Sequence, residues 1–285
     1  MLLIVGYIII LVASIGTYSV HGSLAALWVP MEYLAIIGLT LGGFLGGNGM
    51  RSVKATFGGL SKVFKGSGYN KAVYIEVLAM LYEILGKVRK EGLMSIENDI
   101  ENPDSSPIFS KYPKFQHDHH AMEFLTDYLR MMVGGNLNAF ELENLMDIEI
   151  ETHHQEAHVP AHVMAKVADA TPAFGIVVAV MGVVNVMGSV GEPPAVLGKM
   201  IGGALVGTFL GILISYGFLG PLSGQLEQVS EEEGKVYQCM KVVLLASMSG
   251  YAPQVAVEFG RKVLFSADRP GFTELEEELK SRKGK

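Results

Sequence analysis

A single cysteine, Cys239, stands in a chain of 285 residues, which excludes an intrachain disulfide framework and leaves a buried or idle thiol. Charge is scarce too: Asp, Glu, Lys and Arg make up 18% of the residues against 49% apolar ones, so an ordinary water-soluble protein of this size is a poor match. What charge there is sums to −7, and that removes the basic footprint expected of a nucleic-acid binder. No stretch of useful length alternates like a strand, and no fixed-period repeat recurs. No phosphate-cradling glycine loop, dinucleotide fingerprint, nucleophile elbow or catalytic dyad stands out either, so neither an enzyme nor a bound cofactor is expected.

The apolar residues are collected into four uncharged runs: 1–20, 33–47, 170–191 and 200–226. A helix needs about 20 such residues to cross ~30 Å of hydrocarbon at ~1.5 Å per residue. The second run is short and glycine-rich, with Trp28 and Tyr33 as interface anchors and Glu32 at its aqueous end. The first is expected to be a retained helix rather than a cleaved signal peptide, because no positive side chain precedes His21. Of the 22 Lys and Arg residues, 12 lie between Arg51 and Lys166 and 9 from Lys235 onward, with Lys199 the one other. The positive-inside rule then places both termini and the long middle segment in the cytoplasm.

That middle segment, 48–169, reads as soluble helix. Val77, Leu78, Leu81, Ile84, Leu85 and Val88 recur at threes and fours, predicting a helix near 71–90 that stops at Gly92. Pro103, Pro107 and Pro113 mark an irregular stretch, followed by a helix near 118–133 ending at Gly134 and Gly135. Asn138 and Glu141 form a capping-box start for a helix that heads toward the third run and is interrupted or bent at Pro160. The tail, 227–285, is a mixed, helix-compatible stretch whose last residues are expected to be mobile.

Gly203, Gly207 and Gly211 fall every fourth residue in the fourth run, and Gly38, Gly42 and Gly46 do so in the second, a spacing that lets helix backbones approach closely. Neither 170–191 nor 200–226 contains Asp, Glu, Lys, Arg or His. A cation relay through hydrocarbon needs an ionisable group to hold the ion midway, so this chain cannot supply one there. The polar groups it does place there are Thr208, Ser215, Asn185 and Ser189, whose side chains can ligate an ion beside a carboxylate from another chain or simply bond to their own helix. Pro172 opens the third run, where a missing donor at a first turn is tolerated; Pro221 closes the fourth and reads as cap or hinge. His154, His158 and His162 share a helical face but lack the zincin pattern, so a solvated surface is expected and no metal site is assigned. Lys87, Arg89 and Lys90, then Glu97, Asp99 and Glu101, then Glu141, Glu143, Asp147, Glu149 and Glu151 read as solvated faces or as a docking surface.

Several segments resemble the MotA stator family of flagellar motors, which is related to ExbB and TolQ. They are Thr171 to Ile176, Val180 to Val183, Val206 to Ile212, DIENP at 99–103, EIETH at 149–153, GYAP at 250–253 and VEFGRK at 257–262. The resemblance implies an all-α, polytopic protein of the bacterial inner membrane, with transmembrane helices 1 and 2 in 1–47, a cytoplasmic helical domain in 48–169, helices 3 and 4 in 170–226 and a cytoplasmic tail in 227–285. It implies a ring of five copies around two copies of MotB, embedded in lipid, with MotB supplying the missing aspartate and the ring driving the rotor protein FliG. It further implies that Thr208 lines the ion path, that Pro172 and Pro221 couple conformation, and that Arg89, Glu97 and, more weakly, Glu149 engage FliG. Sodium-driven relatives of the PomA type place a threonine where this chain has Ala179, which points to protons, although Thr171 nearby keeps sodium open. An energy-transducing ring of the ExbB or TolQ type is the alternative, disfavoured because those proteins have three spans.

Overall fold

The computed structural model describes residues 2–135 and 137–282, and its regular structure is helical, with no strand among the described residues. Four helices are long and apolar enough to cross a membrane: Leu2–His21, Leu24–Gly46, Ala139–Met187 and Pro194–Met248. In lipid every backbone N–H and C=O must find a partner inside the segment, and a helix does this without a neighbour. The all-α, four-span expectation holds.

The chain divides into two compact units, Met1–Lys65 with Ala157–Val229, and Gly66–Glu156 with Ser230–Lys285. The first contains α1 (Leu2–His21), α2 (Pro30–Gly46) and α3 (Met50–Lys65). It also holds part of α6 (Ala139–Met187) and part of α7 (Pro194–Met248). Proline sits at the start of α2 and of α7, where its missing donor costs nothing. Ile36, Val178, Val206 and Leu210 form one small buried cluster; Leu3, Val63, Ala161, Met164 and Leu226 form another. Large apolar side chains such as Leu34, Val184 and Leu205 face outward, as lipid-facing positions do.

Several boundaries differ from those read off the runs. The second helix begins at Pro30 rather than Tyr33, after a short turn of helix at Leu24–Leu27, and Trp28 meets Tyr33 in a tilted ring contact with centroids 5.6 Å apart. The third run is part of a helix that starts at Ala139 and passes through Pro160 without interruption. The fourth run starts a helix that continues to Met248, because Gln225 onward changes the side chains from apolar to charged without removing helix formers. Pattern and hydropathy report where a helix is buried in lipid, not where its hydrogen bonding ends.

The second unit contains α4 (Lys71–Glu91), α5 (His119–Gly134), α8 (Pro253–Val263) and α9 (Phe272–Arg282) besides its parts of α6 and α7. Asn70 caps α4 by accepting from the amides of Ala72 and Val73, and Gly92 ends it at φ +87°. Asp118 caps α5, and Asn138 with Glu141 forms a reciprocal capping box at 2.9 and 3.0 Å. The predicted stripe Val77, Leu78, Leu81, Ile84 and Leu85 is buried, against Leu125, Leu142, Met240, Val243 and Val257 among others. Residues 283–285 lie outside the described residues, and with them the mobility expected of the extreme tail.

Candidate functional site

In the membrane unit, α6 and α7 pack along a seam made of small residues. A Cβ added at Gly175 would lie 2.8 Å from the Gly207 carbonyl and 2.9 Å from the Gly211 Cα; one at Gly211 would lie 2.8 Å from the Gly175 Cα. Gly207 meets the Ala179 amide in the same way, at 3.2 Å, and a Cβ at Gly182 would fall 2.6 Å from that of Ala204. The glycine spacing therefore marks a true close approach at Gly207 and Gly211. It does not at Gly38, Gly42 and Gly46, where an added Cβ meets nothing within 4 Å.

Pro172 is interior to α6, not at a first turn, because the helix begins 33 residues earlier at Ala139. An interior proline cannot donate to the carbonyl four residues back, which here is that of Ala168. Ser215 takes that place: its hydroxyl donates to the Ala168 carbonyl at 2.6 Å, across the seam and buried. Ser215 also opens a π turn, Ser215–Leu219, that stands just before Pro221. The wider turn lets α7 pass the proline without ending, so both prolines sit inside helices. Tyr7 on α1 donates to the Phe218 carbonyl in this turn at 2.7 Å, and Ser223 donates to the Ala161 carbonyl at 2.9 Å.

The three residues assigned to the ion path are placed differently from one another. Thr171 is fully buried, and its hydroxyl donates to the Val167 carbonyl of its own helix at 2.6 Å. Ala179 is buried in the seam against Gly207. Thr208 follows Gly207, about 100° further round the helix, and is half-buried, off the seam that holds the other two. A cavity of ≈ 1260 Å³ opens elsewhere in this unit, with Glu32, Asn185 and Lys199 among its walls; hydropathy gave no sign that these polar groups share a space.

In the second unit the charged residues separate into structural and free ones. Asp99 is 4% exposed and accepts from Lys87 Nζ at 2.7 Å and from Ser106 Oγ at 2.6 Å, which pins the proline-rich stretch to α4. Arg261 is also buried, held by Glu258 at 2.9 Å and by the Pro270 carbonyl at 3.0 Å. Arg89, in the last turn of α4, and Glu97, opening the short helix Glu97–Glu101, are exposed and form no ion pair among the described residues. Each suits its helix end, a cation by the carbonyls and an anion by the amides, and both stay available. Glu149 is exposed but accepts from Tyr128 at 2.7 Å; burial, then this carboxylate, raises the Tyr128 phenol well above its usual range. His154 and His162 are exposed, and His153 packs against Tyr237, the rings tilted by 47° with centroids 4.3 Å apart. The sequence left Asp99 among solvated charges, and only the short DIENP motif around it hinted otherwise.

Comparison with known proteins agrees with this architecture. The family profile described as Motility protein A N-terminal matches residues 4–92, and that of the MotA/TolQ/ExbB proton channel family matches 116–239. Motility protein A of Escherichia coli (strain K12) is 49% identical over 99% of this chain and 96% of its own length. Chemotaxis protein LafT of Vibrio parahaemolyticus is 33% identical over 98% of both chains. The flagellar MotAB stator complex of Bacillus subtilis superposes with a TM-score of 0.72 at 26% identity, covering 90% of this chain and 92% of that one. C. jejuni MotAB shares the fold, with a TM-score of 0.77 at 21% identity over 94% and 98% of the two chains. The chain belongs to the motility protein A family, within the wider MotA/TolQ/ExbB proton channel group.

Proposed function

We propose that this chain is the ring-forming stator subunit of a flagellar motor in the bacterial inner membrane, working with MotB to couple proton flow to rotation. The observation that carries the reading is the absence of any Asp, Glu, Lys, Arg or His from 170–191 and 200–226, in two helices packed tightly on glycine. Such a wall holds a shape but cannot hold a proton, so the carboxylate comes from a partner. Five copies surround two MotB helices, and each ion that neutralises the MotB aspartate lets the ring step past it. One charge crossing ~100 mV releases about 2.3 kcal/mol, enough for a step against load.

Thr208 serves as the polar group offered to that aspartate, because its side chain is half-exposed while Thr171 is committed to Val167. The occupied, buried hydroxyl of Thr171 and the bare Ala179 leave few oxygen ligands for a naked cation, which favours protons over sodium. Both termini and the 48–169 segment face the cytoplasm, where Arg89 and Glu97 meet FliG. Exposed charges form and release such contacts repeatedly without the cost of drying an interface.

Proteoliposomes test the reading. The chain with MotB conducts protons, whereas the chain alone, or with a MotB whose membrane aspartate is changed to asparagine, does not; conduction by the chain alone at the same rate overturns it. Swimming speed at fixed membrane potential is flat in sodium concentration, and charge reversal at Arg89 or Glu97 lowers torque until an opposite reversal in FliG restores part of it.

A further inference from the structure

The Met50–Lys65 helix, α3, takes no part in the site described above. Its sequence carries Arg51, Lys54, Lys62 and Lys65 and no Asp or Glu. At about 100° per residue, its side chains sort into three arcs. Val53, Thr56 and Val63 share one and are buried; Met50, Phe57 and Phe64 occupy the next and are exposed, at 69%, 61% and 61%. Arg51, Lys54 and Lys62 hold the third, also exposed.

The buried arc fixes where the helix lies. Val63 packs with Leu3 at the start of α1, with Ala161 and Met164 of α6, and with Leu226 of α7. Val53 packs with Phe44, in the last turn of α2, and with Val163. A Cβ on Gly59 would fall 2.9 Å from that of Pro160, so the two backbones are close. The helix thus crosses one end of the membrane bundle, where all four spans meet water. Phe57 stands edge-on to Phe44 at 6.1 Å, level with the last turn of α2.

Exposed phenylalanines beside cations of one sign, at the depth where hydrocarbon gives way to water, fit a single environment. The rings dip among acyl chains while the cations stay with phosphate. We propose that α3 is a binding surface for anionic phospholipid headgroups, seated in the negatively charged cytoplasmic leaflet. The proposal rests on the cytoplasmic orientation given above but not on motor function, so the two can fail separately. A soluble acidic partner held by the cations is disfavoured, since it would leave Met50, Phe57 and Phe64 in water.

The test uses the full chain copurified with MotB and reconstituted into phosphatidylcholine bilayers holding traces of spin-labelled phosphatidylglycerol or phosphatidylcholine. The motion-restricted fraction favours phosphatidylglycerol by about threefold, falling toward parity in ~1 M salt and in the R51Q/K54Q/K62Q variant. Lys262→Gln, in the other unit, leaves the preference unchanged. An undiminished preference in the triple variant overturns the proposal, and so does no preference in the unaltered complex, the result expected if a neighbouring protein covers this face. Should the triple variant fail to reach the membrane, Lys54→Gln and the salt titration decide: Lys54 is exposed without an ion pair among the described residues, and a preference that neither changes is not electrostatic.

Discussion

In the membrane unit the closest approaches are between backbones, at Gly175, Gly207 and Gly211, whereas in the other unit large side chains fill the interior, Leu78, Leu81 and Tyr128 among them. The difference follows from the solvent each unit meets. Lipid tails are as apolar as leucine, so burying leucine there gains little, and helices associate through close packing and a few hydrogen bonds. Water makes the same burial worth about 1.5–3 kcal/mol per large side chain. Each unit therefore fails at a different kind of residue.

The largest effect is expected at the glycine seam. Gly211→Leu drives a side chain into the Gly175 backbone, which cannot yield as a flexible side chain could; the complex with MotB is lost on gel filtration and motility is abolished. A leucine at Gly211 that leaves assembly intact would break the contrast. Next comes the soluble core, where Leu81→Ala, at a position 0% exposed, costs about 2–5 kcal/mol and lowers the denaturation midpoint of that unit.

A smaller effect, and a sharper one, concerns the carbonyl freed by Pro172. Ser215→Ala removes its donor and costs about 1 kcal/mol, the range found for hydrogen bonds between membrane helices. Pro172→Ala restores an amide to the same carbonyl, so the cost of Ser215→Ala shrinks in that background. Equal costs in both backgrounds, measured as a double-mutant cycle on complex stability, would show that the serine is not replacing the missing amide. The smallest effect belongs to Gly42→Ala. Its added Cβ meets nothing within 4 Å of this chain, so motility and stability stay unchanged unless another chain covers that stripe.

Period and hydropathy located the four spans and the helices near 71–90 and 118–133, and the Asn138 cap formed where it was expected, but α3, α8 and α9 were not marked off as separate helices. What could not be read was partnership. Gly38, Gly42 and Gly46 have the same spacing as Gly203, Gly207 and Gly211, and only tertiary packing separates a seam from an open face. Asp99 looks like its neighbours Glu97 and Glu101 in a charged run, yet it alone of the three is buried, because Lys87 and Ser106 come from elsewhere in the chain. Pro172 looked like a helix start because hydropathy changes near it, and hydrogen bonding does not follow hydropathy.

The Ser215 contact with Ala168 has a mechanical corollary. A peptide amide that let go of its carbonyl would break the ladder of its own helix, whereas a hydroxyl turns about one bond and leaves that ladder intact. The two helices are fastened at that height by a side-chain hydrogen bond, so parting it would leave the backbone ladder of each helix whole.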